Sequence, residues 1–60
     1  MYQIIYTYTN GRTDMVPMDA HSDWAARMIF DSRVRPFVNG ISFSEAELLH
    51  DGKRIDKAVA

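Results

Sequence analysis

The sequence predicts an α+β domain of ββαββ order: a four-stranded antiparallel sheet in the order 2-1-3-4 with one helix packed on one face. Three observations predict it. An Asn10-Gly11 pair follows a run rich in tyrosine, isoleucine and threonine, Ser22 precedes a stretch of helical periodicity, and an Asp51-Gly52 pair divides the C-terminal third. With sixty residues the chain is a single domain, 1–60, whose core must be thin, because a chain this short buries only about 60% of the surface it exposes unfolded.

The first strand is read over Tyr2 to Thr9, where β-branched and aromatic residues suit a pleated surface. Asn10 and Gly11 are expected to form a two-residue turn, so that Thr9 pairs with Arg12, Tyr6 with Met15, Ile5 with Val16 and Ile4 with Pro17. Counted from a bonded Thr9 and Arg12 pair, Pro17 falls where its missing N–H faces away from strand 1, which makes strand 2 an edge strand. Ser22 is an N-cap, Asp23 supplies an acidic first turn, and the helix should run to about Val34, before Pro36 and Asn39-Gly40. Ala25, Met28, Ile29 and Ser32, flanked by Trp24 and Ala26, form the stripe expected to lie on the sheet, with Arg27 and Asp31 on the solvated side.

Two readings compete for the last segment. As a hairpin about Asp51-Gly52 it pairs Leu48 with Ile55, Ala46 with Lys57, Glu47 with Asp56 and Leu49 with Arg54. As a short helix it would use Ser44 and Glu47 as a capping box, with Phe43 and Leu48 at staple spacing. The hairpin is the expectation carried forward, since eight residues make a marginal helix and a hairpin completes the sheet. The helix crossover then runs strand 3 parallel to strand 2, so strand 3 beside strand 1 gives the order 2-1-3-4 and leaves strand 2 at the edge.

Composition excludes several functions. Hydrophobic residues make up 47% and charged residues 25%, the balance of a folded globular chain. A formal net charge of -1 provides no overall field for steering onto nucleic acid or anionic lipid. The absence of cysteine rules out disulfides and thiolate metal sites, and the strand-like start does not read as a signal peptide or a membrane span, so a cytoplasmic location is expected.

The search for chemistry finds no catalytic constellation. His21 and His50 read as solvated loop residues lacking the three convergent ligands that a metal requires. Ser22 is explained as a cap, and no nucleophile elbow or phosphate-binding glycine loop is present. Glu45 and Glu47 share a strand face near Asp56, but general acid–base work would need a concave pocket to desolvate one of them. Expected are no enzyme activity, no cofactor and no metal.

The tyrosines carry more information. Tyr2, Ile4, Tyr6 and Tyr8 point to one face of strand 1, and Gln3, Ile5, Thr7 and Thr9 to the other. Either face can be the one the helix covers. If Ile5, Val16 and Met18 form the core, the tyrosine row with Met15 is exposed as a recognition patch; if the tyrosines are core, Ile5 and Val16 are left open. The expected partner-binding residues are Tyr6, Tyr8, Met15 and Arg12, on the uncovered face. A protein partner is expected. The alternatives are a single-stranded nucleic-acid module using aromatic rings beside Arg12, Arg27, Arg33, Arg35, Lys53 and Arg54, and a homodimer that buries its spare face.

The arrangement of an Asn-Gly hairpin, a Ser22-capped helix and an Asp-Gly hairpin in sixty cysteine-free residues resembles small bacteriophage accessory proteins, including anti-CRISPR proteins and inhibitors of host RNA polymerase. The resemblance spans the whole chain as architecture and assigns no individual residue. It implies a protein that inactivates a host complex by occupying one of its surfaces.

Overall fold

A computed structural model describes all residues, 1–60. Strands β1 (Tyr2–Tyr8) and β2 (Thr13–Met18) are followed by helix α1 (Asp23–Ile29), and then by β3 (Phe43–His50) and β4 (Lys53–Val59). The four strands form one antiparallel sheet in the order β2-β1-β3-β4, as the turn signals and Pro17 predict.

Ser22 caps α1: its Oγ accepts from the Ala25 N–H at 3.1 Å and its carbonyl from the Ala26 N–H at 2.9 Å. The helix does not stop at Val34. It widens into a π turn over Phe30–Val34, where the Arg35 N–H reaches the Phe30 carbonyl, and tightens into a 3₁₀ turn over Arg35–Phe37. Pro36 explains the change of pitch, because it has no N–H to continue the α ladder and its ring crowds the preceding turn.

The helix surface facing the sheet differs from the one expected. Ala26, Phe30 and Val34 are buried, followed by Val38, whereas Met28 is exposed and Trp24 stands 71% exposed. Going from the predicted stripe to the observed one is a rotation of about one residue, or 100°. It places Phe30, the bulkiest apolar ring available on that side, at the centre of the core with Tyr2, Ile4, Ala46, Leu48 and Ala58. Alanines at 26, 46 and 58 let the helix backbone come close to β3 and β4.

The first hairpin is also corrected. The Tyr8 carbonyl accepts from the Gly11 N–H and the Tyr8 N–H donates to the Arg12 carbonyl, so the loop has three residues, Thr9, Asn10 and Gly11, with Gly11 at φ +90. This is a type I turn closed by a left-handed glycine. The register becomes Ile4 to Val16, Ile5 to Met15 and Gln3 to Pro17. A shift of one residue reverses every side chain of β2, so Val16 joins the tyrosine side and Met15 leaves it. Pro17 still turns its nitrogen outward, since β1 bonds to the alternate positions. The tyrosine side is the one the helix packs against.

In the second hairpin both turn residues have positive φ, 50 at Asp51 and 84 at Gly52, the geometry of a two-residue I′ turn. Leu49 pairs with Arg54 as expected. A bulge at Ile55 then shifts the register, so Leu48 faces Asp56, Glu47 faces Lys57 and Ala46 faces Ala58. Ser44 to His50 is strand, not helix. No helix is long and apolar enough to cross a membrane.

Candidate functional site: a half-covered sheet face

Two clusters merit a chemical reading. The first joins the helix start to the sheet. Tyr2 donates from its hydroxyl to Asp23 Oδ1 at 2.7 Å, His50 Nδ1 lies 2.8 Å from the same oxygen, and the Tyr2 and His50 rings stack with centroids 4.3 Å apart. His50 Nε2 is 3.5 Å from Asp51 Oδ2. His50 is thus not the solvated loop residue expected, but the last residue of β3, held between two carboxylates.

An Asp–His pair next to a hydroxyl invites comparison with a catalytic relay, but the hydroxyl is in the wrong state. Its bond to Asp23, together with burial, pushes the Tyr2 phenol up to about 12, while donation from Tyr2 holds the Asp23 carboxyl below its ordinary value. Tyr2 is therefore a retained proton donor, not an activated nucleophile. No three His, Asp, Glu or Cys side chains converge as metal ligands. The cluster is a latch that holds α1 to β1 and β3.

The latch makes stability pH-dependent. Because the folded Tyr2 value lies above the ordinary 10.0, its contribution is fully present below pH 10 and is lost as pH rises from 10 toward about 12. Asp23 works in the opposite direction: its contribution is present above the ordinary carboxylate range and lost as pH falls through its lowered value. Urea midpoints measured against pH should show both losses in the native chain. Tyr2→Phe should reduce the alkaline one, leaving the part that the raised Tyr6 phenol contributes.

The expected acidic cluster is dispersed. Glu45 pairs with Lys57 at 3.1 Å and Glu47 with Arg54 at 3.8 Å on the open face, while the bulge sends Asp56 to the helix side, where it meets Arg35 at 3.3 Å. With Ile5, Thr7, Thr13 and Met15, these ion pairs make the open face a mixed surface, on which Leu49 is buried beneath longer neighbours.

The second cluster is a ledge on the helix side. Arg27 donates to the Ile55 carbonyl and Arg35 to the Lys57 carbonyl, so the helix is drawn over the β4 half of the sheet. β2 and the ends of β1 and β3 that carry Tyr8 and Phe43 lie outside that cover. Val16 is 39% exposed, although Ile4, its ladder partner on the same side, is only 5% exposed. Where β1 and β3 end beside each other, Phe43 sits between Tyr6 and Tyr8, its ring centroid 5.0 Å from one and 4.9 Å from the other. All three rings are partly exposed. Burial raises the Tyr6 phenol above its ordinary value. Tyr8 and Arg12 share a recess with Asp14, and a second recess, lined by Ala20, Ala25 and Ile29, follows the helix wall.

Of the four residues singled out from the sequence, Tyr6, Tyr8 and Arg12 therefore meet on one surface, and Met15 lies on the opposite face. Their surface is the helix side, not the face away from it. Phe43 and Val16 were missed. Val16 alternates with Met15, so the three-residue loop decides which of them belongs.

No known protein family matches the chain, and neither a curated protein nor a solved structure matches it.

Proposed function

We propose that this chain is a non-catalytic protein-binding module that acts in the cytoplasm and engages one protein partner through the ledge of Tyr6, Tyr8, Phe43, Val16 and Arg12. The observation that carries the reading is the exposure of Val16 beside the buried Ile4. The helix leaves β2 exposed on this apolar side and the adjoining aromatic strip only partly covered. Tyrosine and arginine beside an apolar strip are the residue types enriched where interfaces are strongest. Occupying a partner's surface, as the resemblance to phage inhibitors implies, needs no cofactor and no reaction. The nucleic-acid reading draws less support, because Arg12 shares its recess with Asp14 and the three rings pack on one another.

The test compares two faces. A photo-cross-linker placed at Tyr8 in the full chain should capture a distinct partner in the native cell, and one placed at Thr7, which points to the open face, should not. Val16→Asp should abolish capture from Tyr8 while leaving the circular dichroism spectrum unchanged, since exposed substitutions usually lie within about 0.5 kcal/mol of neutral. Equal capture from both positions, or capture indifferent to Val16→Asp, would refute the ledge.

A further inference from the structure

The two edges of the sheet end differently. On β4 the Ile55 carbonyl accepts from Arg27 Nε and Nη2 at 3.4 and 3.2 Å, the Lys57 carbonyl from Arg35 Nη1 at 3.4 Å, and the Lys57 N–H donates to Asp56 Oδ1 at 2.8 Å. Helix and strand side chains together occupy the middle of that edge. On β2 the alternation turns Thr13, Met15 and Pro17 outward. The Met15 N–H donates only to Asp14 Oδ1 at 3.0 Å, Pro17 has no N–H, and the outward carbonyls of the strand have no partner. Thr13 through Pro17 are exposed throughout.

Charge singles out the same strand. Asp14 and Asp19 have no basic side chain within salt-bridge distance; every other acidic side chain has a basic partner, which for Asp23 is the His50 imidazole. Arg12, at the opposite end of β2 from Asp19, has no acidic partner within salt-bridge distance. Arg12 immediately before β2 and Asp19 immediately after it carry opposite charges, so these two flanks are complementary when the strand is reversed against a copy of itself.

We infer that a second copy of this chain pairs antiparallel with β2 about a two-fold axis at Met15, joining two sheets into one of eight strands. In this register the Met15 N–H of each copy donates to the Met15 carbonyl of the other, and each Thr13 N–H donates to Pro17 of the second copy. Pro17 is needed there only as an acceptor. Arg12 falls opposite Met18 of the second copy, one residue from its Asp19, at both ends of the interface. Asp14 falls opposite Val16 and diagonal to its own counterpart, an exposed like-charge contact that salt screens. Both helices lie on the same side, over the two outer halves, and the two bare ledges adjoin as one trough. An interface of one strand per copy belongs to the small, weak class, so the dimer forms at high protein concentration.

The pairing does not rest on the partner-binding reading, and sedimentation equilibrium on the full chain separates the two. The native mass should rise with concentration from 6.9 kDa toward twice that value. Met15→Pro, which removes an N–H that β1 does not use, should stay at 6.9 kDa with an unchanged circular dichroism spectrum. Arg12→Glu should weaken association roughly tenfold, because it turns attraction between the Arg12 and Asp19 flanks into repulsion at both ends of the interface. Adding Asp19→Lys to Arg12→Glu should restore it, and this exchange decides the question if Met15→Pro fails to fold. A mass fixed at 6.9 kDa at every concentration would overturn the inference while leaving ledge capture intact. So would a dimer indifferent to Met15→Pro and to the charge exchange.

Discussion

Phe30→Ala is expected to remove a large fraction of the chain's stability at 25 °C. Phe30 and Leu48 are the two large side chains that are fully buried. Removing a buried aromatic ring generally costs about 3 to 5 kcal/mol, whereas a domain of this length holds on the order of 3 to 9 kcal/mol in all. Phe30 also anchors the π turn and lies beneath the Arg35 guanidinium, 5.5 Å from the ring centroid. Losing the ring therefore loosens the grip of the helix on β4 as well. Urea titration followed by circular dichroism checks it. A cooperative transition displaced by less than about 1 kcal/mol would show that the core is not centred on Phe30.

Leu48→Ala should have the next largest effect, about 2 to 5 kcal/mol. Leu48 pairs with Ile4 on one side and Asp56 on the other, directly before the β4 bulge, and is fully buried in the same core. The cavity has little prospect of collapsing, because the neighbouring residues Ala46 and Ala58 are already small. Leu48→Met, which conserves volume, should cost less than about 1.5 kcal/mol. Denaturation of the two variants side by side separates lost volume from lost shape; equal midpoints would mean that the site is not packed.

Much of the fold was legible because turn chemistry is local. Asn10-Gly11, Ser22 and Asp51-Gly52 each act through their own backbone geometry, and Pro17 placed β2 at an edge through a missing N–H that no tertiary contact could replace. What was not legible depends on choices between near-equal alternatives. Asn10-Gly11 suits a two-residue loop with both residues at positive φ, or a three-residue loop with only Gly11 there, and the structure takes the second. The deciding term is distant: the second register sets Val16 and Met18 together on the helix side, whereas the first would set Met15 there with Pro17. On α1 both the Ala25, Met28 and Ile29 stripe and the Ala26, Phe30 and Val34 stripe have helical spacing. Burying Phe30 wins, and Trp24 is left outside. The ledge was therefore half visible, since its tyrosines and Arg12 could be named but the strand that completes it could not be oriented.

The hold that Arg27 and Arg35 keep on β4 bears on how large any assembly of this chain can become. A sheet with two free borders has a valence of two and can polymerise without end, the hazard carried by every exposed strand. Here the middle of one border is occupied from within the same molecule, which disfavours β-pairing there and leaves β2 as the more open border. The two guanidinium groups thus act against open-ended growth as well as anchoring the helix: they bias an aggregation-prone architecture toward discrete particles without relying on surface charge alone.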